Sequence, residues 1–270
     1  MKRIIYILLL LTLCFTLVAC DEYIVDDSDG KDGFWDWLNK EVEEYEFEMN
    51  ADQKSYRLVK YNYLSPDAST IVNIPSTYNN LPVTQIGNQA FYACEQIEKV
   101  VIPDTIISIG SYAFFHCDNL TEINIPSGLI QIREYAFEGC DLLTEISIPH
   151  SVNIGFRAFC ECENLKTVVI GNEKNGTSYV DGYAFYKCTK LENAKLEGVT
   201  TIDSHAFAYC ESLTSVFLSN SLTKIGSSAF EYCENLKYVY FNGTTDQWKN
   251  VDTLPWWDKG AGDFEVKYGQ

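Results

Sequence analysis

Positive charge is what this sequence most lacks: Lys and Arg number 20 against 38 Asp and Glu, a formal charge of −18 over 270 residues. A field of that sign repels phosphate backbones, which excludes nucleic acid as a partner and argues against docking on membranes through a basic patch. Histidine is scarce. His116, His150 and His205 sit in three different registers of the repeat described below and cannot share a metal ion or a proton relay. No G-x-S-x-G, H-E-x-x-H or glycine-rich phosphate loop occurs. Cys160-Glu161-Cys162 has no second pair at metal-ligand spacing, so Cys160 reads as an extra, half-exposed thiol. The sequence therefore points away from an enzyme and implies no metal and no cofactor. What it does have is apolar material, 46% of the chain, enough for a folded protein of this length.

The N-terminal residues read as an address. Lys2 and Arg3 precede an apolar run, Ile4 to Val18, whose fifteen residues match a signal-peptide core and fall short of the roughly 20 that span a bilayer as a helix. It ends Leu17-Val18-Ala19-Cys20, which resembles the lipobox of bacterial lipoproteins. That resemblance implies removal of residues 1–19, lipidation of Cys20 and a membrane anchor there, on the bacterial outer membrane or cell surface. Between Asp21 and Glu48 stand twelve acids and two lysines, so residues 20–32 read as a self-repelling acidic tether. An acidic stretch directly after the lipidated Cys also resembles the surface-export signal of some diderm lipoproteins.

A repeat dominates the rest. Ala-Phe pairs begin at Ala90, Ala113, Ala136, Ala158, Ala184, Ala206 and Ala229, and four residues after each Ala comes a cysteine: Cys94, Cys117, Cys140, Cys162, Cys188, Cys210 and Cys233. Three residues further on stands a large aliphatic residue, Ile97 or Leu120 for instance, followed by a period-2 segment such as Ile123-Asn124-Ile125-Pro126. A unit of about 23 residues with one short strand can hide its apolar face only by stacking on copies of itself. The expected fold is an α/β-type repeat solenoid, a right-handed stack with one short parallel strand per repeat and a helical turn at A-F-x-x-C. Eight rungs, from Ile71–Ile74 to Tyr238–Phe241, at about 4.8 Å each would stack to roughly 38 Å.

The pattern C-x-x-L-x-x-I-x-I-P-x-x-L-x-x-I-G-x-x-A-F-x-x-C resembles the BspA-like surface leucine-rich repeat family over about residues 70 to 250. The resemblance implies cell-surface exposure and adhesion or recognition, without catalysis. The expected organisation is then a signal peptide (1–19), tether (20–32), N-terminal cap of a short helix and a β-hairpin (33–69), solenoid (70–245), and C-terminal cap and tail (246–270). Trp248, Trp256 and Trp257 are the expected seal of the C-terminal end. The step of 26 residues after Ala158 predicts a bulging loop from Gly171 to Tyr179 with a turn at Asn175-Gly176.

Binding is expected on the outward side of the strands, in the concave sheet. With Val100 and Ile102 inward, one outward column runs through Val169, Lys195, Phe217 and Tyr240, and its neighbour ends at Tyr238. Phe217, Tyr238 and Tyr240 form an aromatic cluster suited to anchoring a protein of a host or neighbouring cell, or to stacking on a glycan. A spacer without a ligand is the third reading, and the tail from Asp246 could fold over the cluster. The cysteine column, with parallel side chains about one rung apart, suits buried reduced thiols rather than disulfides. Thiol titration of the mature protein, denatured without reductant, should accordingly find eight, the seven of the column plus Cys160; a count near zero rejects the ladder.

Overall fold

A computed structural model describes residues 44–63, 69–149, 152–171 and 178–269, all within one compact unit of residues 42–270. The signal peptide, Cys20, the tether, the helix expected from Gly33, His150 and the Asn175-Gly176 turn lie outside the described residues. The stack that the periodicity predicts is present, with nine rungs in its first strand row and very little helix. Tyr45–Met49 and Tyr56–Tyr61 form an antiparallel hairpin that pairs onward with Leu81–Ile86.

The first row comprises Ile71–Asn73, Lys99–Val101 and Glu122–Ile123 in one parallel sheet, then Glu145–Ile148, Thr167–Ile170, Asn193–Leu196, Ser215–Ser219, Tyr238–Asn242 and Glu265–Tyr268 in a second. A side chain marks the break between the two sheets. Asn124 Nδ2 donates to the Ile102 carbonyl at 2.8 Å and Asn124 Oδ1 accepts the Ile102 N–H at 2.7 Å, so the amide stands in for the strand that stops at Ile123. On the far side of each turn a second strand row runs from Leu81–Ile86 through Ser108–Ile109 and Gln131–Ile132 to Asp252–Thr253. Each repeat thus carries the expected strand of the first row and, across the far side of the turn, a second short one such as Ser108–Ile109. At the Ile-Gly step the rows pass so closely that a Cβ on Gly110 would lie 2.5 Å from the Gly87 carbonyl carbon.

The A-F-x-x-C segments are tight corners and not the expected helical turns. In all seven, the residue before the Ala and the residue before the Cys have positive φ, between 51° and 72°, and only Gly139 among these fourteen is a glycine. Each non-glycine residue so placed costs about 1–2 kcal/mol. The conformation turns N–H groups along the stack: Gln89, Phe91 and Ala93 donate to the carbonyls of Ser111, Ala113 and Phe115, and Tyr183, Phe185 and Lys187 to those of Ser204, Ala206 and Ala208. Backbone bonds between turns offset the strain and leave no i→i+4 pattern for a helix.

Inside this corner the phenylalanines form a spine. Rings of Phe91, Phe114, Phe137, Phe159, Phe185, Phe207 and Phe230 follow one another at 4.8 to 5.3 Å with interplanar angles of 2 to 10°. Tyr61 begins the series and Trp257 meets its last ring edge-on. Beside the spine run the thiols. Cys117, Cys140, Cys162, Cys188, Cys210 and Cys233 each donate to the Phe carbonyl of the preceding turn at 3.1 or 3.2 Å. Cys94, with no such turn before it, reaches only the Tyr92 carbonyl at 3.9 Å. All eight cysteines among the described residues are buried and free.

Past the last Ala-Phe repeat, Thr244 and Gln247 make a reciprocal capping box that starts a one-turn helix, Thr245–Lys249. Trp248 and Trp257 pack against the core, whereas Trp256, expected to help seal this end, is 71% exposed: it takes the positive-φ place before Trp257, which turns its ring to solvent.

Two outcomes follow. Removal of one central ring, Phe159→Ala, opens a cavity shared by two neighbouring turns and should cost about 3–5 kcal/mol in urea unfolding; a loss below about 1 kcal/mol would show that the spine carries little of the stability. Burial also pushes the thiols of Cys94, Cys160 and Cys233 up to about 12 and those of Cys140, Cys188 and Cys210 well above the usual range. The unfolded chain loses these protons from about pH 8.5 while the folded chain keeps them, so stability falls as pH rises, by up to about 1.4 kcal/mol per pH unit per thiol. Melting temperatures in reductant should drop steeply between pH 8.5 and 11, and a flat profile there contradicts the buried neutral ladder.

Candidate recognition surface on the first strand row

Strand alternation sets this surface. Ala194, Leu196, Val216, Leu218, Val239 and Phe241 point inward and are buried, so their neighbours point out. Parallel register aligns Val169, Lys195, Phe217, Tyr240 and Lys267 in one column, one residue from each successive strand. Tyr238 stands beside them, between Ser215 and Glu265. The structure thus brings Val169, Lys195, Phe217, Tyr238 and Tyr240 into one continuous patch.

Phe217 and Tyr238 are 40% and 37% exposed, high for large rings on a sheet. One face of each is engaged. Phe217 stacks on Tyr240 at 4.5 Å and 11°, Tyr238 tilts against Tyr240 at 5.7 Å, and the Lys267 ammonium lies 4.1 Å from the Tyr238 ring centre and 5.9 Å from that of Tyr240. Lys195 is tied to Glu197 at 2.8 Å, and the Ser215 hydroxyl donates to Asn193 Oδ1. The column from Val101 does not continue at its next rung, because Asn124 is spent on Ile102.

The tail does not fold over the cluster; it extends the sheet. Glu265–Tyr268 adds as a ninth strand, and Lys267 reaches the rings from there. Sequence reading missed Lys267. The alternation Glu265-Val266-Lys267-Tyr268 was the available signal, obscured because the preceding corner reads Trp257-Asp258-Lys259-Gly260-Ala261. That corner nevertheless acts as an A-F-x-x-C segment: the Phe230 and Tyr232 N–H groups donate to the Trp257 and Lys259 carbonyls.

Cys160 is fully buried and not half-exposed. Its Sγ lies 3.2 Å from Arg157 Nη2, and Arg157 also reaches Glu138 Oε1 at 3.0 Å, so the pair roofs the thiol. Burial, with Glu138 adding to it, raises the Cys160 thiol far above the reactive range. His116 sits against Asp118 at 3.2 Å, whereas His205 lies 3.6 Å from Glu231 and stacks on Tyr183. No group of three or more His, Cys, Asp or Glu among the described residues could hold a metal ion, and no helix there is long and apolar enough to cross a membrane. A second aromatic array runs along the outside of the corners, through Tyr112, Tyr135, Phe156, Tyr183, Tyr186 and Tyr209, each ring in contact with the next.

The model of the BspA type leucine rich repeat region matches the chain in six copies, over residues 84–174 and 143–251. The crystal structure of the T. pallidum leucine-rich repeat protein is similar to this chain at 28% identity, covering 73% of it and 91% of that protein, with a TM-score of 0.63. A leucine-rich repeat protein from Eubacterium ventriosum matches at 22% identity, 71% and 59% coverage and a TM-score of 0.53. One from Bacteroides capillosus matches at 38% identity over 48% of this chain and 96% of that one, with a TM-score of 0.44. No curated protein matches.

Proposed function

Because this chain belongs to the BspA-type leucine-rich repeat family, we propose that it recognises a protein ligand through the outward face of its first strand row, displayed on the cell surface by a lipid at Cys20 and without chemical turnover. The observation that carries the reading is the aromatic patch of Phe217, Tyr238 and Tyr240 under Lys267. Exposed rings on a rigid sheet lose little conformational freedom on binding, which is what protein interfaces select in their anchor residues.

The choice between protein and glycan rests on the ring faces. A sugar stacks its C–H groups on an open aromatic face. Here Phe217 and Tyr240 cover one face of each other and the Lys267 ammonium lies over one face of Tyr238, so the patch offers ring edges, the Tyr hydroxyls and a cation beside the remaining faces. That set suits a protein surface with an apolar anchor and a carboxylate. The lipid anchor is supported by Lys2 and Arg3, the apolar run and Leu17-Val18-Ala19-Cys20.

Residues 21–270 applied to arrays of extracellular-matrix proteins and of glycans, with Phe217→Ala and Tyr240→Ala beside the parent, test the reading. The expected result is a protein ligand whose affinity falls roughly 30-fold in either variant, the scale of a 2 kcal/mol anchor. Sugar binding lost in the variants would replace the protein by a glycan, and silence on both arrays would leave a spacer. Protease shaving of intact cells tests display: a chain that survives until the envelope is opened is not on the surface.

A further inference from the structure

The first strand row ends at its N-terminal side on Ile71–Asn73, which pairs with Lys99–Val101 and with no other strand among the described residues. The hairpin of Tyr45–Met49 and Tyr56–Tyr61 joins the second row, so no strand among the described residues covers this edge. In a parallel strand, alternate residues turn both backbone groups to the same side. The Thr70 carbonyl takes the N–H groups of Glu98 and Lys99, and the Ile74 N–H goes to the Val101 carbonyl, so even-numbered residues face inward along the row. Ile71 and Asn73 face out. Two of their four outward groups are used: the Ile71 N–H donates to Ser69 Oγ, and the Asn73 carbonyl accepts from the Tyr45 hydroxyl, each at 3.1 Å. The Ile71 carbonyl and the Asn73 N–H have no partner among the described residues. These are the two groups that one residue of an added parallel strand, set opposite Val72, closes with its own N–H and C=O.

Beside the edge lies an open groove of about 670 Å³ lined by Tyr45, Phe47, Ile71, Pro75 and Tyr78, with Phe47 stacked on Tyr78 at 4.4 Å. Glu44 is its one charged lining residue. Sheet edges are ordinarily blunted by lysine, proline or a cover. The strand Ile71-Val72-Asn73 has none of these residues, and Ile71 is 49% exposed.

We propose that this edge captures an extended peptide by strand addition, with an apolar residue opposite Val72 and a Lys or Arg that meets Glu44. Backbone pairing supplies the register, the ring-lined groove takes the apolar side chain, and Glu44, in a chain of net charge −18, selects a basic neighbour. The site lies at the opposite end of the row from Phe217 and Tyr240 and does not depend on what that patch binds.

The probe is the acetylated, amidated tetrapeptide Lys-Val-Val-Ile, the sequence of residues 99–102, whose first Val already pairs with Val72 from the inner side. Titrated into residues 21–270 and followed by amide NMR, it should shift the Asn73 resonance and slow its hydrogen exchange. N-methylation of that first Val removes the donor to Ile71 and should weaken binding about tenfold. Asn73→Pro removes the protein's donor and should do the same with an unchanged melting temperature, since proline is admissible where an edge N–H points outward. Glu44→Gln should weaken this peptide and leave one with norleucine in place of lysine unaffected. Equal binding by the N-methylated peptide, or none up to millimolar concentration, overturns the proposal. So does concentration-dependent protection of Asn73 without peptide, which would make a second copy of the chain the occupant. Should Asn73→Pro fail to fold, the N-methylated peptide and Glu44→Gln decide the matter.

Discussion

Each turn of this molecule is completed by the next. The A-F-x-x-C corner holds two residues with positive φ, an unfavourable conformation for the Tyr, His, Lys and Arg side chains found there, and N–H bonds to the following turn, three in each of the first six corners and two in the seventh, offset it. A corner without a successor would keep the strain and lose the bonds. The same step along the axis fixes the other columns: it brings the phenylalanine rings to about 5 Å, face to face, and sets each thiol against the preceding Phe carbonyl. The cysteine is therefore chosen for its size and weak donor, at a place where an alanine would leave a gap and a bulkier residue would push the turns apart.

Such a stack transmits its demands only to nearest neighbours, so its two ends are the places where they go unmet. They are met differently. At the C-terminal end a corner that has lost the motif, Trp257-Asp258-Lys259-Gly260-Ala261, with Trp in place of its Ala and Ala in place of its Cys, still receives the bonds from Phe230 and Tyr232, and the strand Glu265–Tyr268 prolongs the row. At the N-terminal end the hairpin takes over the second row and Tyr61 takes the place of a spine phenylalanine, while the first row stops on Ile71–Asn73.

What could be read from the sequence was whatever recurs. Ala-Phe, the cysteine four residues on and the period-2 segments give the stack, the buried column and the outward column, because a repeated pattern defines its own neighbours. Features that depend on a single turn were out of reach. The positive-φ corner has no local signature, since Tyr112, Arg157 and Lys187 carry no preference for it and the hydrogen bonds that impose it come from another turn. Cys160 read as half-exposed because the roof of Arg157 and Glu138 comes from two different repeats. Asn124 looked like an outward side chain and is a backbone surrogate. Of the candidate patch, Phe217, Tyr238 and Tyr240 were visible from alternation alone; Lys267 was not, because its strand follows a corner that has lost the motif.

That hidden lysine ties the candidate patch to the strand Glu265–Tyr268. Phe217 and Tyr240 belong to strands paired on both sides, but the cation over Tyr238 comes from Glu265–Tyr268, which pairs with one strand among the described residues. Terminal units of a nearest-neighbour stack open most easily, because only one interface holds them. Were Glu265–Tyr268 to detach, Lys267 would leave with it and a face of Tyr238 would be uncovered. A ligand that needs the ammonium over Tyr238 therefore favours the docked strand Glu265–Tyr268 and stabilises it by the free energy of that preference.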